Sequence, residues 1–356
     1  VAAERVLVVA QAFKETLSLE EVAAAIAAGA QDAGVEPEVI LGSDGGDGLL
    51  EAVGPRLVKK TTHVVSGPLG EPVEAVAGWL AEDEAIVESR LVCGLSLVPP
   101  ERRNPRRTTT RGVGELVLEL SGRGARRVLI GLGGSATMDG GLGMARAFGW
   151  VPRGRSGKVL PDCGDSLAAL EEIQRGEPPP VYLLGLADVR NPLLGPEGVA
   201  IYAAQKGASP EDTARLVAGL ERLVSLLADR GARELAERPG AGAAGGLGFG
   251  ILCFGAGELQ SGAAWVLERA NLDARLRGAA LVLVAEGAFD RTSFCGKLTG
   301  EVIRRAERAG VRVALVAPRV ELVPDGVTVE TGGGKWDGGE LRRRAAQAIR
   351  RALDAP

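Results

Sequence analysis

Four stretches of the chain combine glycine with side chains able to carry chemistry. They are Ser43-Asp44-Gly45-Gly46-Asp47-Gly48, Gly131 to Gly141 (GLGGSATMDGG), Ala187 to Gly195 (ADVRNPLLG) and Glu286 to Lys297 (EGAFDRTSFCGK). Each follows an apolar run of the kind that makes a strand. Glycine permits positive φ and close approach of backbone to a ligand. The N–H groups so exposed, with the positive end of a following helix, favour an anion. In the second stretch Ser135, Thr137 and Asp139 are the side chains able to hydrogen-bond strongly, and Gly133 and Gly134 offer main chain. Acids beside anion loops suit phosphoryl transfer. Carboxylates hold Mg²⁺ with its waters or orient an acceptor hydroxyl, while lysines and N–H groups neutralise phosphate. Taken alone, the glycine loop reads equally as a tight turn, and any of these acids as a helix N-cap. Asp44, Asp188 and Asp290 recur at strand ends with glycine or proline punctuation, which favours function for those three. Asp47 and Asp139 stay open between the two readings.

Lysine is scarce: seven of the 42 basic residues. Lys14, Lys206 and Lys297 each fall in a loop-like motif, which favours phosphate contacts for Lys14 and Lys297 and leaves Lys206 undecided. A net charge of −4 gives no reason to expect nucleic acid or an anionic membrane as partner. No uncharged apolar run reaches 18 residues and the chain goes directly into a strand pattern, so neither a membrane span nor a signal peptide is expected. The widely spaced Cys93, Cys163, Cys253 and Cys295 suit reduced thiols in a cytoplasmic protein. A single histidine, His63, makes a His-rich metal site or a Ser-His-Asp triad improbable. Gly296-Lys297 is followed by Leu298, so it is not a standard P-loop, and the absence of glycine from Val9 to Glu15 disfavours a dinucleotide fingerprint.

The elements that must position these loops alternate between strand and helix. Arg5 to Val9 reads as a buried strand, then Ser18 and Glu21 form a capping box for a helix from Leu19 to Ala33, and Glu38 to Leu41 is the next strand. From Thr61 the texture becomes hairpin-like around Ser66-Gly67-Pro68-Leu69-Gly70, and Glu84 to Glu88 follows as a third strand. Ala125 to Ile130 and Val181 to Leu186 feed the second and third loops; Ala279 to Ala285 feeds the fourth. The two chain ends share one pattern. The expectation is an α/β protein: a flavodoxin-like parallel-sheet domain built from both ends (1–61 and 271–356), interrupted by an inserted α/β domain (62–270) with Gly-rich loops. Ligands in such sheets bind outside the carboxyl ends of the strands.

Motifs along nearly the whole chain resemble those of the type I, two-domain bacterial glycerate kinases. Phe13-Lys14 with Leu17-Ser18, Ser43 to Gly48, Gly67 to Gly70, Gly94-Leu95 with Pro99 to Pro105, Gly131 to Gly141, Asn191 to Gly195, Gln205 to Ala208, Gly240 to Gly248 and Glu286 to Lys297 carry the likeness. It implies transfer of the ATP γ-phosphate to D-glycerate, giving 2-phosphoglycerate, with Mg²⁺, in an interdomain cleft. The resulting expectation is a catalytic group of Asp188, Asp290 and Lys14. Asp44, Gly133, Gly134, Ser135, Thr137, Asn191, Lys206, Glu286 and Lys297 would bind substrate or phosphate, and Asp44 and Asp139 metal. The partners expected are a small hydroxy acid and ATP, with room for a homodimer. Gln11-Ala12 replaces the family's Asp-Ser, Met138 an Asn, Arg190 an Asp, Ala288 an Arg, and Thr292-Ser293 Gln-Thr. These changes imply altered substrate preference, another hydroxy acid as acceptor, or a catalytically silent homologue. Arg190 or Arg291 could replace the charge lost at Ala288, and Met138→Asn would raise activity if that amide contact was the one lost.

Overall fold

The structure is a computed structural model that describes residues 4–13, 16–294 and 296–354; Lys14 and Cys295 lie outside the described residues. The chain forms two compact units, one of Val1–Asp44, Glu51–Val53 and Ala263–Pro356, the other of Gly45–Leu50 and Gly54–Gly262.

The first unit is built on a five-stranded sheet in the order Val327–Glu330, Arg312–Val316, Leu281–Ala285, Val6–Ala10, Pro37–Leu41. All four pairings are parallel. Renumbered within the unit the order is 2-1-3-4-5, that of the flavodoxin-like doubly wound fold. Val6–Ala10 and Leu281–Ala285 are buried throughout, as a sheet covered on both faces demands. The Leu19–Asp32 helix starts at the expected box, Ser18 accepting from the Glu21 N–H, and packs on the closing Gly338–Asp354 helix. Gly29 makes that packing possible, since a Cβ there would lie 2.5 Å from the Arg342 carbonyl oxygen.

The second unit has a six-stranded sheet in the order Glu258–Ser261, Tyr182–Ala187, Arg127–Leu132, Glu84–Glu88, Pro72–Trp79, Lys59–Ser66. The first four strands run parallel and the last two form an antiparallel hairpin on one edge. Its core gathers Trp79, Ile130, Trp150 and Phe254 with the helices Arg111–Gly122 and Pro210–Leu226. The glycine cluster 240–248 is not a linker. It opens the fully buried Ala243–Cys253 helix through three left-handed residues, Ala244, Gly245 and Gly246. The glycine-containing stretch 151–164 carries a short strand, Val151–Arg153, paired with Glu172–Gln174.

Candidate active site

In the second unit, the Arg127–Leu132 strand ends in the glycine loop, where two glycines are required by close approach and a third by its left-handed backbone. A Cβ on Gly131 would lie 2.4 Å from the Gly45 carbonyl oxygen. One on Gly133 would lie 2.8 Å from Gly46 Cα and 3.1 Å from Asp188 Oδ2. Gly134 has φ +60° and flanks Asp47 and Arg90. Asp188 stands half-buried just past the Tyr182–Ala187 strand, so its carboxylate faces main chain on two sides.

The polar side chains of this loop turn inward. Ser135 and Thr137 are buried, and the buried Lys206 ammonium donates to Ser135 Oγ and the Thr137 carbonyl oxygen, both at 2.8 Å. Burial pulls the Lys206 pKa down to about 8, against the attraction of Cys93, Asp139 and Asp188. Asp139 is fully buried. Its oxygens accept from the Thr110 N–H and Oγ1 at 2.8 Å, from the Gly143 N–H at 3.2 Å and from the Gly141 N–H at 3.1 Å. Burial raises its pKa and those donors oppose the rise. Asp139 thereby ties the loop to the start of the Arg111–Gly122 helix. Gly134 is left as the exposed residue of 131–141.

Beside it runs an acid–base chain. Glu88, buried at the end of the Glu84–Glu88 strand, accepts from the Leu50 N–H at 2.8 Å and from Arg90 Nε at 2.5 Å; Arg90 Nε also lies 3.2 Å from Asp47 Oδ1. Burial pushes the Glu88 carboxyl above the usual range, and Arg90 opposes it.

The first unit holds a second cluster. Asp44, past the Pro37–Leu41 strand, accepts from the Leu298 N–H at 2.5 Å and so caps the Leu298–Ala309 helix. Glu286, past the Leu281–Ala285 strand, is buried. Its Oε1 takes the Ser293 hydroxyl at 3.2 Å and lies 3.8 Å from Lys297 Nζ, the Thr299 hydroxyl also favours its ionised form, and Oε2 meets no hydrogen-bond partner within bonding geometry among the described residues. Burial raises its pKa to about 7; Lys297 opposes that and Asp44 adds to it. Gln11, buried, donates to Thr299 Oγ1 at 3.0 Å.

The chain matches the model of the glycerate kinase family over residues 6–331. It is 37% identical to the glycerate kinase of Bacillus subtilis (strain 168) over 329 residues, 88% of this chain and 84% of that one. It is 35% identical to the glycerate 2-kinase of Escherichia coli (strain K12), covering 83% and 80%. The crystal structure of a candidate glycerate kinase 2 from Salmonella typhimurium LT2 superposes with a TM-score of 0.78 at 31% identity, covering 99% of this chain and 97% of that one.

The chain belongs to the glycerate kinase family. It is an enzyme, a phosphotransferase with an alcohol acceptor, on an α/β fold shared with that structure. Among the described residues no helix is long and apolar enough to cross a membrane.

The family motifs divide between side chains gathered at strand ends and side chains tied up in their own loops. Gly133, Gly134 and Asp188 meet in the second unit; Asp44, Glu286 and Lys297 meet in the first. Lys14 lies outside the described residues. Asn191 closes its own loop, donating to the Glu197 carbonyl oxygen at 2.7 Å and accepting from Tyr202 at 2.9 Å. Asp290 Oδ1 accepts the N–H and hydroxyl of Thr292 at 2.7 and 2.5 Å, a turn contact that holds its carboxyl below the usual range. Arg90 and Glu88 carry no glycine signature. The signal for them is a charged pair straddling the end of a buried strand, Glu88-Ser89-Arg90.

Met138 has no exposed surface and packs in the second unit's core. An amide there would be buried among apolar groups, so Met138→Asn is expected to destabilise the unit by about 1–3 kcal/mol, seen as a lower urea midpoint. A midpoint unchanged or raised contradicts that placement.

Glu286 makes a pH prediction. Its folded pKa, about 7, exceeds the usual 4.5, so folding stability from this group is complete below pH 4.5 and is lost as pH rises through about 7. The full swing is about 3 kcal/mol. Without divalent ions the wild type should lose stability over that window more steeply than Glu286→Gln; parallel profiles would show that Glu286 is not the group titrating.

Proposed function

We propose that the enzyme transfers the γ-phosphoryl group of ATP to D-glycerate, giving 2-phosphoglycerate. Membership of the family and the named activities of its relatives support the reaction. The observation that carries the reading is Asp188: a carboxylate at a strand end, held over the backbone of Gly133 and Gly46, where a substrate hydroxyl can come close to acid and main chain together. Asp188 would orient the acceptor hydroxyl and take its proton, with Asp290 ordering the 291–294 turn. Lys297 and Lys14 would neutralise phosphate charge. Lys206, Ser135 and Thr137 would shape the glycine loop, and Asn191 its neighbour, without touching the phosphates.

Mg²⁺ suits the first unit. Glu286 Oε2 is buried with no hydrogen-bond partner among the described residues and Asp44 lies near enough to raise the Glu286 pKa, an excess of negative charge that a hard cation relieves. Among the described residues no cluster of three or more ligating side chains occurs, which fits an ion held by one or two carboxylates with waters and phosphates. Asp44 and Glu286 would hold it, and it would supply charge neutralisation at the transferring group. Asp139 is a poor ligand because its oxygens already accept the four bonds above. The acidic chain with its widely spaced cysteines fits a cytoplasmic enzyme, and the reading admits a homodimer.

The test is ADP release from Mg-ATP across a panel of hydroxy acids, with the phosphorylated carbon assigned by ³¹P–¹H NMR. Turnover with D-glycerate and phosphate on the 2-oxygen is expected. Turnover that rejects glycerate points to another hydroxy acid. No turnover with any panel member, alongside thermal stabilisation by ligand, would make the chain a silent binder and end the proposal.

A further inference from the structure

We propose that Arg90 is the receptor for the acceptor's carboxylate; this rests on the kinase reading above and names the group that would select a hydroxy acid over a neutral polyol. Gly134 is the exposed residue of the glycine loop, and a Cβ placed on it would lie 3.3 Å from Arg90 Cβ and 3.7 Å from Arg90 Cδ. The arginine side chain therefore lies along the one part of that loop open to solvent. Its guanidinium is fixed from one corner only. Nε meets Glu88 Oε2 at 2.5 Å and Asp47 Oδ1 at 3.2 Å, and Glu88 is itself held by the Leu50 N–H. The two terminal nitrogens make no hydrogen bond among the described residues, and the side chain is 31% exposed.

An arginine tied through Nε and open at both Nη atoms is a preorganised fork, the geometry that takes a planar carboxylate through two parallel bonds. A surface arginine with nothing behind it would lose rotamer freedom on binding; this one has given it up to Glu88 and Asp47 beforehand. The acids lie on the Nε side, so they orient the fork without filling it. Asp188 beside Gly133 places a second carboxylate one residue along the loop from the open face, toward which a hydroxyl next to the bound carboxylate can point.

The experiment compares wild type, Arg90→Lys, Arg90→Gln and the double variant Glu88→Gln with Arg90→Gln, which removes the buried acid together with its partner and so guards against misfolding. Acceptor is varied at saturating Mg-ATP, and Mg-ATP at saturating acceptor. Loss of Arg90 should raise the glycerate KM about 10- to 100-fold and leave the ATP KM unchanged. Lysine should recover only part of the loss, since a point charge cannot present parallel donors. Glycerol, which lacks the carboxylate, should react equally poorly with wild type and variants. An unchanged glycerate KM overturns the proposal. So does a rise in the ATP KM instead, which would make Arg90 a phosphate seat. If wild type turns over no hydroxy acid, the kinase reading fails by itself, and Arg90 is judged by thermal shift with glycerate alone. Stabilisation lost in Arg90→Gln supports the receptor; equal stabilisation, or none in wild type, overturns it.

Discussion

Asp188→Asn is expected to lower kcat by about two to four orders of magnitude with little change in the acceptor KM. Asparagine keeps the size and hydrogen-bonding reach of the side chain but cannot accept the hydroxyl proton. The carboxylate stands half-buried past the Tyr182–Ala187 strand, close to where Cβ atoms on Gly133 and Gly46 would fall. Binding groups elsewhere are untouched, so the loss should fall on the chemical step rather than on ground-state binding. ADP release under saturating substrates measures it, and a circular-dichroism melt matching wild type shows that the fold survived. A loss smaller than fivefold would remove Asp188 as proton acceptor and leave it an orienting group. Gly133→Ala tests the same geometry from the other side. Its Cβ would come within 2.8 Å of Gly46 Cα and 3.1 Å of Asp188 Oδ2, so the substitution should push the Gly46 backbone away, displace the carboxylate with it and lower activity.

The strand-end loops were legible in the sequence because two signals coincide there. A continuous apolar run marks a strand covered on both faces, and glycine straight after it marks backbone that must come close to something. The two signals together located Pro37–Leu41, Arg127–Leu132 and Leu281–Ala285, and the apolar run alone located Val6–Ala10, Glu84–Glu88 and Tyr182–Ala187; the polar edge strand Glu258–Ser261 carries neither signal and was not legible. The sequence does not say which way a side chain turns inside a loop. Ser135, Thr137, Asp139 and Lys206 share the loop motifs with Gly134, yet all four are consumed by internal hydrogen bonds: the loop is stabilised by its side chains and offers its backbone. Met138 misled for the same reason, since its place in a motif looks like a ligand contact while its side chain fills the core. Arg90 was hidden by the opposite circumstance. It is separated from Gly134 by more than forty residues and brought beside it by the parallel pairing of Glu84–Glu88 with Arg127–Leu132, a register set by the fold and not by local sequence.

The largest stability effect is expected at Gly245. It sits at φ +70° in the left-handed entry to the Ala243–Cys253 helix, and a Cβ there would lie 1.7 Å from the Thr137 carbonyl oxygen and 3.1 Å from Lys206 Nζ. That carbonyl is one of two acceptors for the buried Lys206 ammonium, and the Gly245 carbonyl oxygen in turn accepts from the Gly140 N–H at 3.3 Å. No flexible side-chain end can move aside, so backbone must. Either the glycine loop shifts and leaves a buried charge with Ser135 alone, or the helix entry unwinds. The left-handed backbone and the overpacking together put Gly245→Ala at about 2–5 kcal/mol. Gly124→Ala is the control in the same unit: φ is +102° and nothing lies within 4 Å, so only the backbone term of about 1–2 kcal/mol applies. Urea unfolding followed through the fluorescence of Trp79 and Trp150, both in the second unit's core, reads the two variants on one scale. Gly245→Ala should have the lower midpoint by a clear margin and should also lose activity, because the Gly133–Gly134 backbone depends on the Thr137 anchor. Equal midpoints would mean that the 240–248 segment yields to the loop, and that the anchor on Lys206 is not what holds the glycine loop in place.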